Sequence, residues 1–206
     1  MKILNLYAGI GGNRKNWDSV RNDLEITAIE NVPEIAKIYQ DFFPKDKVII
    51  VDAHQYLLEH FKEFDFIWSS PPCPTHSRFN LLSNVQEGKS VKYPDMTLWQ
   101  EIIYLKYWCK TKWVVENVIS YYEPFLQPVE SGSHYFWTNF YLNPLPNEKR
   151  GIRGGDQEFR KLKTGLNLDK YNLTKHLKIK ILNNCVEPET GLHIFLEANR
   201  EYKTLL

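Results

Sequence analysis

Short apolar runs alternate with amphipathic stretches along the first 118 residues of the chain. The runs are rich in Ile, Val, Phe and Trp and end at turn residues, which is typical of buried strands. They predict five strands, at 2–7, 25–30, 47–52, 64–69 and 112–117. The stretches between them predict helices over about 14–23, 33–43, 53–62 and 94–109. This alternation predicts an α/β fold built on a mostly parallel, doubly wound sheet.

The regular alternation fades after the fifth predicted strand. Residues 134–142 predict one or two further strands, and 143–180 are rich in Pro, Gly, Asn and Lys with few large apolar side chains. An ordered pattern then returns, and a last helix is predicted from Pro188 onward. We therefore predict a main domain made of 1–142 together with 181–206, and a small irregular subdomain at 143–180.

Charge is distributed unevenly along a chain of 206 residues whose net charge is only +1. Residues 147–180 hold ten Lys or Arg against four Asp or Glu, whereas the rest of the chain holds 16 against 21. A basic segment on an acidic body favours a surface that contacts phosphates. A solvated lysine-rich loop is the alternative interpretation.

Three features predict a cytoplasmic protein without a membrane partner. No apolar run approaches the roughly 20 residues that a membrane span needs. Residues 1–10 predict a strand that enters a glycine turn, without the pattern of a signal peptide. The three cysteines, Cys73, Cys109 and Cys185, are widely spaced, which argues against a disulfide framework and against a metal cluster.

Ligands of an open α/β sheet bind at the carboxyl ends of its strands, so the residues there are candidates for chemistry. Gly9, Gly11 and Gly12 follow the first strand and allow a tight turn close to a ligand. Glu30 ends the second strand and suits the paired hydroxyls of a ribose. Asp52 ends the third strand and can accept from an adenine amino group. Together they predict an adenosine-containing cofactor.

Reactive side chains follow the fourth and fifth predicted strands. Two prolines immediately before Cys73 stiffen its loop, which favours an aimed nucleophile. We interpret Cys109 and Cys185 as small buried hydrophobes. Glu116 ends an apolar strand, so burial predicts a raised pKa and a carboxyl that holds or donates a proton. A structural cap is the alternative for Glu116.

In this order and spacing, these residues resemble the sequence motifs of the DNA cytosine-5 methyltransferases. The matching segments are Asn5-Leu6-Tyr7-Ala8-Gly9-Ile10-Gly11-Gly12, Glu30, Asp52, Pro71-Pro72-Cys73 with Ser77, Glu116-Asn117-Val118, and Asn183-Asn184-Cys185-Val186 with Pro188. The likeness covers about 1–142 and 181–200. It implies a Rossmann-like S-adenosylmethionine-dependent methyltransferase sheet with a target-recognition subdomain at 143–180. It also implies a cytosine flipped out of double-stranded DNA.

The resemblance implies a role for each matched residue. Cys73 would add to carbon 6 of cytosine, Glu116 would bond or protonate ring nitrogen 3, and Asn117 would position the loop or the base. The implied cofactor-binding residues are Tyr7, Ala8, Gly9, Gly11, Gly12, Glu30, Asp52 and Pro71. Among them, Tyr7 would lie against the adenine ring. Ser77 is an implied contact to the substrate.

The chain departs from the family pattern at three places. Asn5 stands where the family usually has Asp, and Pro74 stands where it usually has Gln. The Gln-x-Arg-x-Arg motif, whose arginine contacts the flipped cytosine, has no counterpart. His134, Arg78 and Arg153 are the candidate substitutes, and the sequence does not choose among them.

Two other functions fit the same residues. An RNA cytosine-5 methyltransferase would share the scaffold, although the Cys-Phe-Thr motif of the RNA-acting branch is absent after Pro72. A catalytically inactive nucleic-acid-binding module would explain the missing arginine motif but not the presence of Cys73 and Glu116. A restriction enzyme or a partner subunit is a possible companion of a bacterial or phage protein of this kind.

Overall fold

A computed structural model of the chain describes residues 1–88, 90, 92–146 and 157–200, with the backbone alone at 79, 80, 83, 84, 157–159 and 163. Its strands are β1 (Lys2–Leu6), β2 (Glu25–Ile29), β3 (Lys47–Ile49), β4 (Phe66–Ser69), β5 (Lys112–Val118), β6 (Val129–Ser131) and β7 (His134–Thr138). They form one sheet in the order β3-β2-β1-β4-β5-β7-β6. The predicted α/β sheet is confirmed.

The first five strands are parallel, and their carboxyl ends meet at one edge of the sheet. Leu6 pairs with Ile29 on one side and with Ser69 on the other, and Ser69 pairs in turn with Val115. β7 pairs antiparallel with β5, and β6 pairs antiparallel with β7. The parallel register brings every predicted strand-end residue to the same edge. β3 is shorter than predicted, because it is an edge strand and Ile50 is already 52% exposed.

Helices cover the sheet and connect its strands. They are α1 (Pro33–Phe42), α2 (Ala53–His60), α3 (Arg78–Gln86), α4 (Thr97–Trp108), α5 (Gln157–Thr164), α6 (Lys175–Asn183) and α7 (Pro188–Asn199). Proline occupies the first turn of α1 and of α7, where its missing N–H costs no hydrogen bond. None of the helices in the described part of the chain is long and apolar enough to cross a membrane.

Alternate side chains of the central strands enter two separate cores. Ile67 and Val115 face the core beneath α2 and α4. Trp68 and Val114 face the core shared with Trp17 and α7. Both faces of β4 and β5 are therefore apolar, as expected for strands in the middle of a parallel sheet. Polar residues stand at the carboxyl ends of these strands: Ser69 ends β4, and Glu116 and Asn117 lie near the end of β5.

The helix predicted over 14–23 is wrong. The chain there makes turns and a short 3-10 helix at Trp17–Ser19. The Arg14 guanidinium turns inward to Asp46, with 2.7 Å between Nε and Oδ2, and the Trp17 indole donates to Gly191 O at 3.1 Å. These distant partners determine the local backbone. Helix α3, in contrast, is present but was not predicted.

The described part of the region 143–180, residues 143–146 and 157–180, is more ordered than its composition predicts. It contains α5 and the start of α6, and Leu166 and Leu168 pack beside Ile10 and Ile38. Its apolar residues are few, but these two are almost completely buried. The predicted boundary between 180 and 181 falls inside α6. The division into a catalytic domain and a recognition region stays a prediction.

Candidate cofactor and catalytic site

The turn after β1 contains three glycines, Gly9, Gly11 and Gly12, whose surroundings differ. A Cβ at Gly11 would collide with the Phe43 ring, and a Cβ at Gly12 would lie 2.5 Å from Val186 O. Those two glycines are required by packing within the protein. Gly9 has a φ of +55°, and a Cβ there would meet no atom within 4 Å. Open space therefore lies beside Gly9, at the carboxyl end of β1.

Ala8 lies beneath this turn rather than beside the open space. Its side chain is buried with Ala28 and Tyr39. Its N–H donates to Ile29 O at 2.9 Å, and its carbonyl accepts from Gly11 N at 2.9 Å. Ala8 therefore shapes the turn from within.

Glu30 holds the glycine turn from the end of β2. Its Oε2 accepts from Gly9 N at 3.0 Å, and its Oε1 accepts from Val32 N at 2.9 Å. Each carboxylate oxygen can accept a further hydrogen bond, so both remain capable of receiving hydroxyl groups. The side chain is almost buried, and it stands next to the open space at Gly9. This geometry suits the predicted contact with ribose.

Asp52 begins helix α2. Its Oδ1 accepts from Gln55 N at 2.8 Å, which makes Asp52 the N-cap. The residue is exposed, and the cap uses one of its two oxygens. The residue therefore combines a structural cap with a carboxylate oxygen at the strand-end edge.

Glu101 on α4 is a site residue that sequence reasoning missed. Its carboxylate is fully buried and accepts from Tyr7, which follows β1 with a φ of +53°. The Tyr7 Oη–Glu101 Oε1 distance is 2.6 Å, and Ser69 Oγ lies 2.6 Å from Glu101 Oε2. His54 Nδ1 lies 3.2 Å from Oε1. A glutamate on the apolar stripe of a predicted helix was the available signal.

The Cys73 loop is held from both ends. Cys73 is partly exposed, and its carbonyl accepts from the N–H groups of His76 and Ser77 at 3.0 and 3.2 Å. The Asn117 amide donates to Pro71 O at 2.9 Å and is 1% exposed. Asn117 therefore acts on the loop that carries Cys73, and Pro71 contributes the backbone carbonyl that it binds.

The segment after β5 closes the other side of this loop. Ser77 forms a bridge with Ser120, and the Arg78 Nε donates to Ser120 O at 2.7 Å. Tyr121 N donates to His76 O at 3.1 Å. Ser77 and Arg78, both predicted to contact the substrate, thus hold the loop in place.

The other two cysteines are placed differently. Cys109 is buried beside Thr111, at 3.3 Å between Sγ and Oγ1. Burial raises the pKa of the Cys185 thiol to about 12, and its Sγ donates to Ile181 O at 3.4 Å. A thiol with so high a pKa supplies little thiolate near neutral pH.

Glu116 is buried at the end of β5, and its expected raised pKa is confirmed. Burial raises the pKa of its carboxyl to about 7, opposed by a hydrogen bond from the Ser70 hydroxyl. That hydroxyl in turn accepts from Trp68 Nε1 at 2.8 Å. His134 Nε2 lies 3.6 Å from Glu116 Oε1, because β7 pairs antiparallel with β5.

His134 is thus the candidate substitute that the fold brings to Glu116. Arg78 is bound to Ser120 O, and Arg153 lies outside the described residues. The site as a whole consists of two adjoining parts, one at the ends of β1 to β3 and one at the ends of β4 and β5.

Comparison with known proteins agrees with this geometry. The model of the family described as C-5 cytosine-specific DNA methylase matches residues 1–121, which is more than half of the chain. The chain belongs to this family. The matched segment carries the residues around both parts of the site, from Tyr7 to Glu116. Among curated proteins, none matches this chain significantly.

A solved structure shows the same fold. The methyltransferase EhMeth of Entamoeba histolytica has a TM-score of 0.60 at 10% identity, with 96% of this chain and 97% of that chain covered. A triple mutant of Spodoptera frugiperda DNMT2 is 27% identical over 57% of this chain, with a TM-score of 0.43. This chain spans about a third of that DNMT2 chain, at 35%. The plantazolicin methyltransferase BpumL, in complex with SAH, has a TM-score of 0.39 at 11% identity, covering 95% of this chain and 54% of that one.

S-adenosyl-L-methionine is the cofactor of this protein, as a member of the family. The residues present fit it. The open space beside Gly9 would receive its amino-acid and sugar parts, next to the acceptor oxygens of Glu30. Asp52 offers a carboxylate for the adenine amino group at the end of β3.

Proposed function

We propose that the chain transfers a methyl group from S-adenosylmethionine to carbon 5 of cytosine in DNA, on a base flipped out of the helix. Family membership supports cytosine-5 methyl transfer. The observation that carries the proposal is the bond from Asn117 to Pro71 O, 2.9 Å long. It ties the loop of Cys73 to the strand of Glu116, so nucleophile and proton carrier share one rigid frame.

The proposed chemistry begins with Cys73. Its thiolate bonds to carbon 6 of cytosine, and the ring electrons move toward carbon 5 and nitrogen 3. The bound cofactor would supply a methyl group to carbon 5, and its bond between sulfur and methyl would break to leave S-adenosylhomocysteine. Removal of the carbon 5 proton by a base lets the bond between carbon 6 and sulfur break, which restores Cys73 and the aromatic ring.

Glu116 would hold the proton that this step requires. Because the pKa of its carboxyl is about 7, a large fraction is protonated near neutral pH. A protonated carboxyl donates to ring nitrogen 3 and offsets the charge that develops there. Ser70 fixes the carboxyl in place through the hydrogen bond that it donates.

His134 would take the place of the missing arginine at the target base. Its Nε2 lies next to Glu116, at 3.6 Å from Oε1. Its Nδ1 lies 3.1 Å from Ser133 Oγ, which can fix the orientation of the ring. The distance to Glu116 supports this role, in which the imidazole N–H would donate to a polar group on the edge of the same base.

DNA contact would come from the basic segment. Within its described part, Lys161 binds Asp169 at 2.6 Å and Lys170 binds Asp41 at 3.6 Å, whereas Lys175 and Lys180 on α6 are exposed. Lys149, Arg150 and Arg153 lie outside the described residues. With so small a recognition region, we expect a site of about two to four base pairs and affinity that falls steeply with salt.

The deciding experiment offers the purified chain S-adenosylmethionine labelled in its methyl group, with double-stranded DNA or with RNA. We expect labelled 5-methylcytosine in DNA, none with Cys73→Ala, and normal product with the matched control Cys109→Ala. Label in RNA alone would overturn the DNA assignment. If the chain binds the cofactor and DNA but labels neither DNA nor RNA, it is an inactive binding module.

The covalent step has its own test. DNA that contains 5-fluorocytosine should trap an adduct, because fluorine does not leave as a proton does. Mass spectrometry should place the adduct on Cys73, and an adduct on Cys185 would contradict the assignment. Bisulfite sequencing of DNA methylated by the purified chain would identify the recognition sequence. If methylation occurs only after a second protein is added, that result supports a partner subunit.

A further inference from the structure

The buried carboxylate of Glu101 has no part in the chemistry proposed above. It lies on α4 with Leu98, Ile102 and Leu105 as buried neighbours on the same helix, and none of its surface is exposed. A buried carboxylate destabilises the fold unless its oxygens are well bonded. An apolar side chain could fill this part of the core without that cost. The presence of a carboxylate here therefore indicates a specific role.

The bonds of Glu101 join three separate segments. Tyr7 Oη donates to Oε1 at 2.6 Å, and His54 Nδ1 lies 3.2 Å from the same oxygen. Ser69 Oγ donates to Oε2 at 2.6 Å. The donors are 94, 47 and 32 residues away from Glu101 along the chain.

Each of these segments carries part of the site. Tyr7 stands between β1 and the open space beside Gly9. His54 is in the first turn of α2, two residues after Asp52. Ser69 is the last residue of β4, directly before the loop of Cys73. A single carboxylate therefore fixes the ends of β1 and β4 and the start of α2 relative to each other.

The backbone of Tyr7 explains why such a tether is needed. A φ of +53° is unfavourable for a residue with a side chain, and it persists only where surrounding contacts impose it. The bond from the phenol to Glu101 also fixes the direction of the ring. An aromatic ring held in this way presents a ready-made face to a flat ligand.

We propose that Glu101 is a positioning residue that assembles the S-adenosylmethionine site before the cofactor binds. It acts through Tyr7 and His54 on the nucleoside part of the site. It acts through Ser69 on the start of the Cys73 loop, and this last link alone rests on the proposed function. Because each of these bonds joins two groups of the protein itself, none of them requires the cofactor, and little ordering then remains to be done on binding, which strengthens affinity.

A double-mutant cycle measured by calorimetry tests the proposal. The variants are Glu101→Gln, Tyr7→Phe and the two combined, titrated with S-adenosylmethionine and with S-adenosylhomocysteine. We expect each single variant to weaken both ligands about tenfold, as for one lost hydrogen bond. The double variant should be no weaker than Glu101→Gln alone, because both changes remove the same bond.

Tyr104→Phe is the matched control. It removes a tyrosine hydrogen bond between α4 and α2, from Tyr104 Oη to Leu58 O at 3.3 Å, away from the site. It should leave both affinities unchanged. The melting temperature of each cofactor-free variant separates positioning from general stability. Lower melting temperatures with unchanged affinities, or additive losses in the cycle, would overturn the proposal.

Two outcomes keep the test decisive. If Glu101→Gln does not fold, Tyr7→Phe alone decides, since it keeps the ring and loses only the hydroxyl. Unchanged affinity in Tyr7→Phe would then overturn the proposal, and a tenfold loss without loss of stability would support it. A failure of the proposed methyl transfer would appear separately, as normal cofactor binding by the unmodified chain without methylated product.

Discussion

The two parts of the site hold their buried carboxylates in different ways. On the cofactor side, Glu30 accepts two backbone N–H groups and Glu101 has three side-chain partners. On the base side, Glu116 is similarly buried, but a hydrogen bond from Ser70 does not offset its desolvation, and its pKa rises to about 7. Glu30 and Glu101 are thus fixed by the hydrogen bonds that they accept, and the raised pKa of Glu116 lets its carboxyl carry a proton.

The largest effect expected from this comparison is at Cys73. Cys73→Ala should lower methyl transfer by several orders of magnitude, because no other side chain would form the bond to carbon 6. Affinity for S-adenosylmethionine should stay the same, since the thiol belongs to the base side. Turnover assays and calorimetry on one preparation check both. Near-normal turnover would contradict the covalent mechanism.

The next effect is at Glu116. Glu116→Gln keeps the shape of the side chain but cannot supply a proton, so turnover should fall about 10²- to 10⁴-fold. Cofactor affinity should not change. Single-turnover kinetics and calorimetry provide the measurement. If Glu116→Gln instead weakens cofactor binding and leaves turnover normal, Glu116 belongs to the cofactor side of the site and not to the base side.

Stability should depend on pH through the same carboxyl. The pKa of Glu116 is about 7 in the native state and near 4.5 in the unfolded chain, so its ionisation costs the native state about 3 kcal/mol. The stability of the protonated form is fully present below about pH 4.5 and is lost as pH rises through about 7. Urea unfolding across this range should show a loss in the unmodified chain that Glu116→Gln lacks. If the free energy of unfolding changes with pH in the same way in both proteins, Glu116 does not cause the pH dependence.

The smallest effects are expected on the cofactor side. Glu30→Ala should weaken S-adenosylmethionine binding by about 1.5–3 kcal/mol, because one charge-assisted hydrogen bond is lost. Asp52→Ala should cost less affinity, since Asp52 is exposed, and about 1 kcal/mol of stability through the lost N-cap. Calorimetry and thermal melts of both variants would rank them. A larger affinity loss in Asp52→Ala would reverse the ranking.

Much of the cofactor side could be predicted because a parallel sheet aligns its strand ends. Apolar runs mark the strands, and the fold then brings Gly9, Glu30 and Asp52 together without further information. The separate purposes of the glycines could not be predicted. Gly11 and Gly12 contact Phe43 and Val186, which the local sequence does not reveal as neighbours.

The other features that the sequence did not predict also depend on contacts between residues that are distant along the chain. Arg14 leaves the predicted helix because Asp46, 32 residues away, binds its guanidinium. Glu101 appears as one polar residue on an apolar helix until its partners are known. His134 reaches Glu116 only through the antiparallel pairing of β7 with β5. Local pattern predicts elements well, whereas such pairings depend on the whole fold.

The packing of α7 against the glycine turn has a consequence for the order of folding during synthesis. Gly191 leaves no room for a Cβ beside Asn13, Trp17 donates to Gly191 O, and Gly12 packs against Val186. The turn that follows the first strand is therefore completed by residues made about 170 positions later. A nascent chain that has emerged only as far as β7 still lacks one wall of this turn. α7 must therefore be synthesised before this packing is complete, so the turn after the first strand reaches its final form late in synthesis.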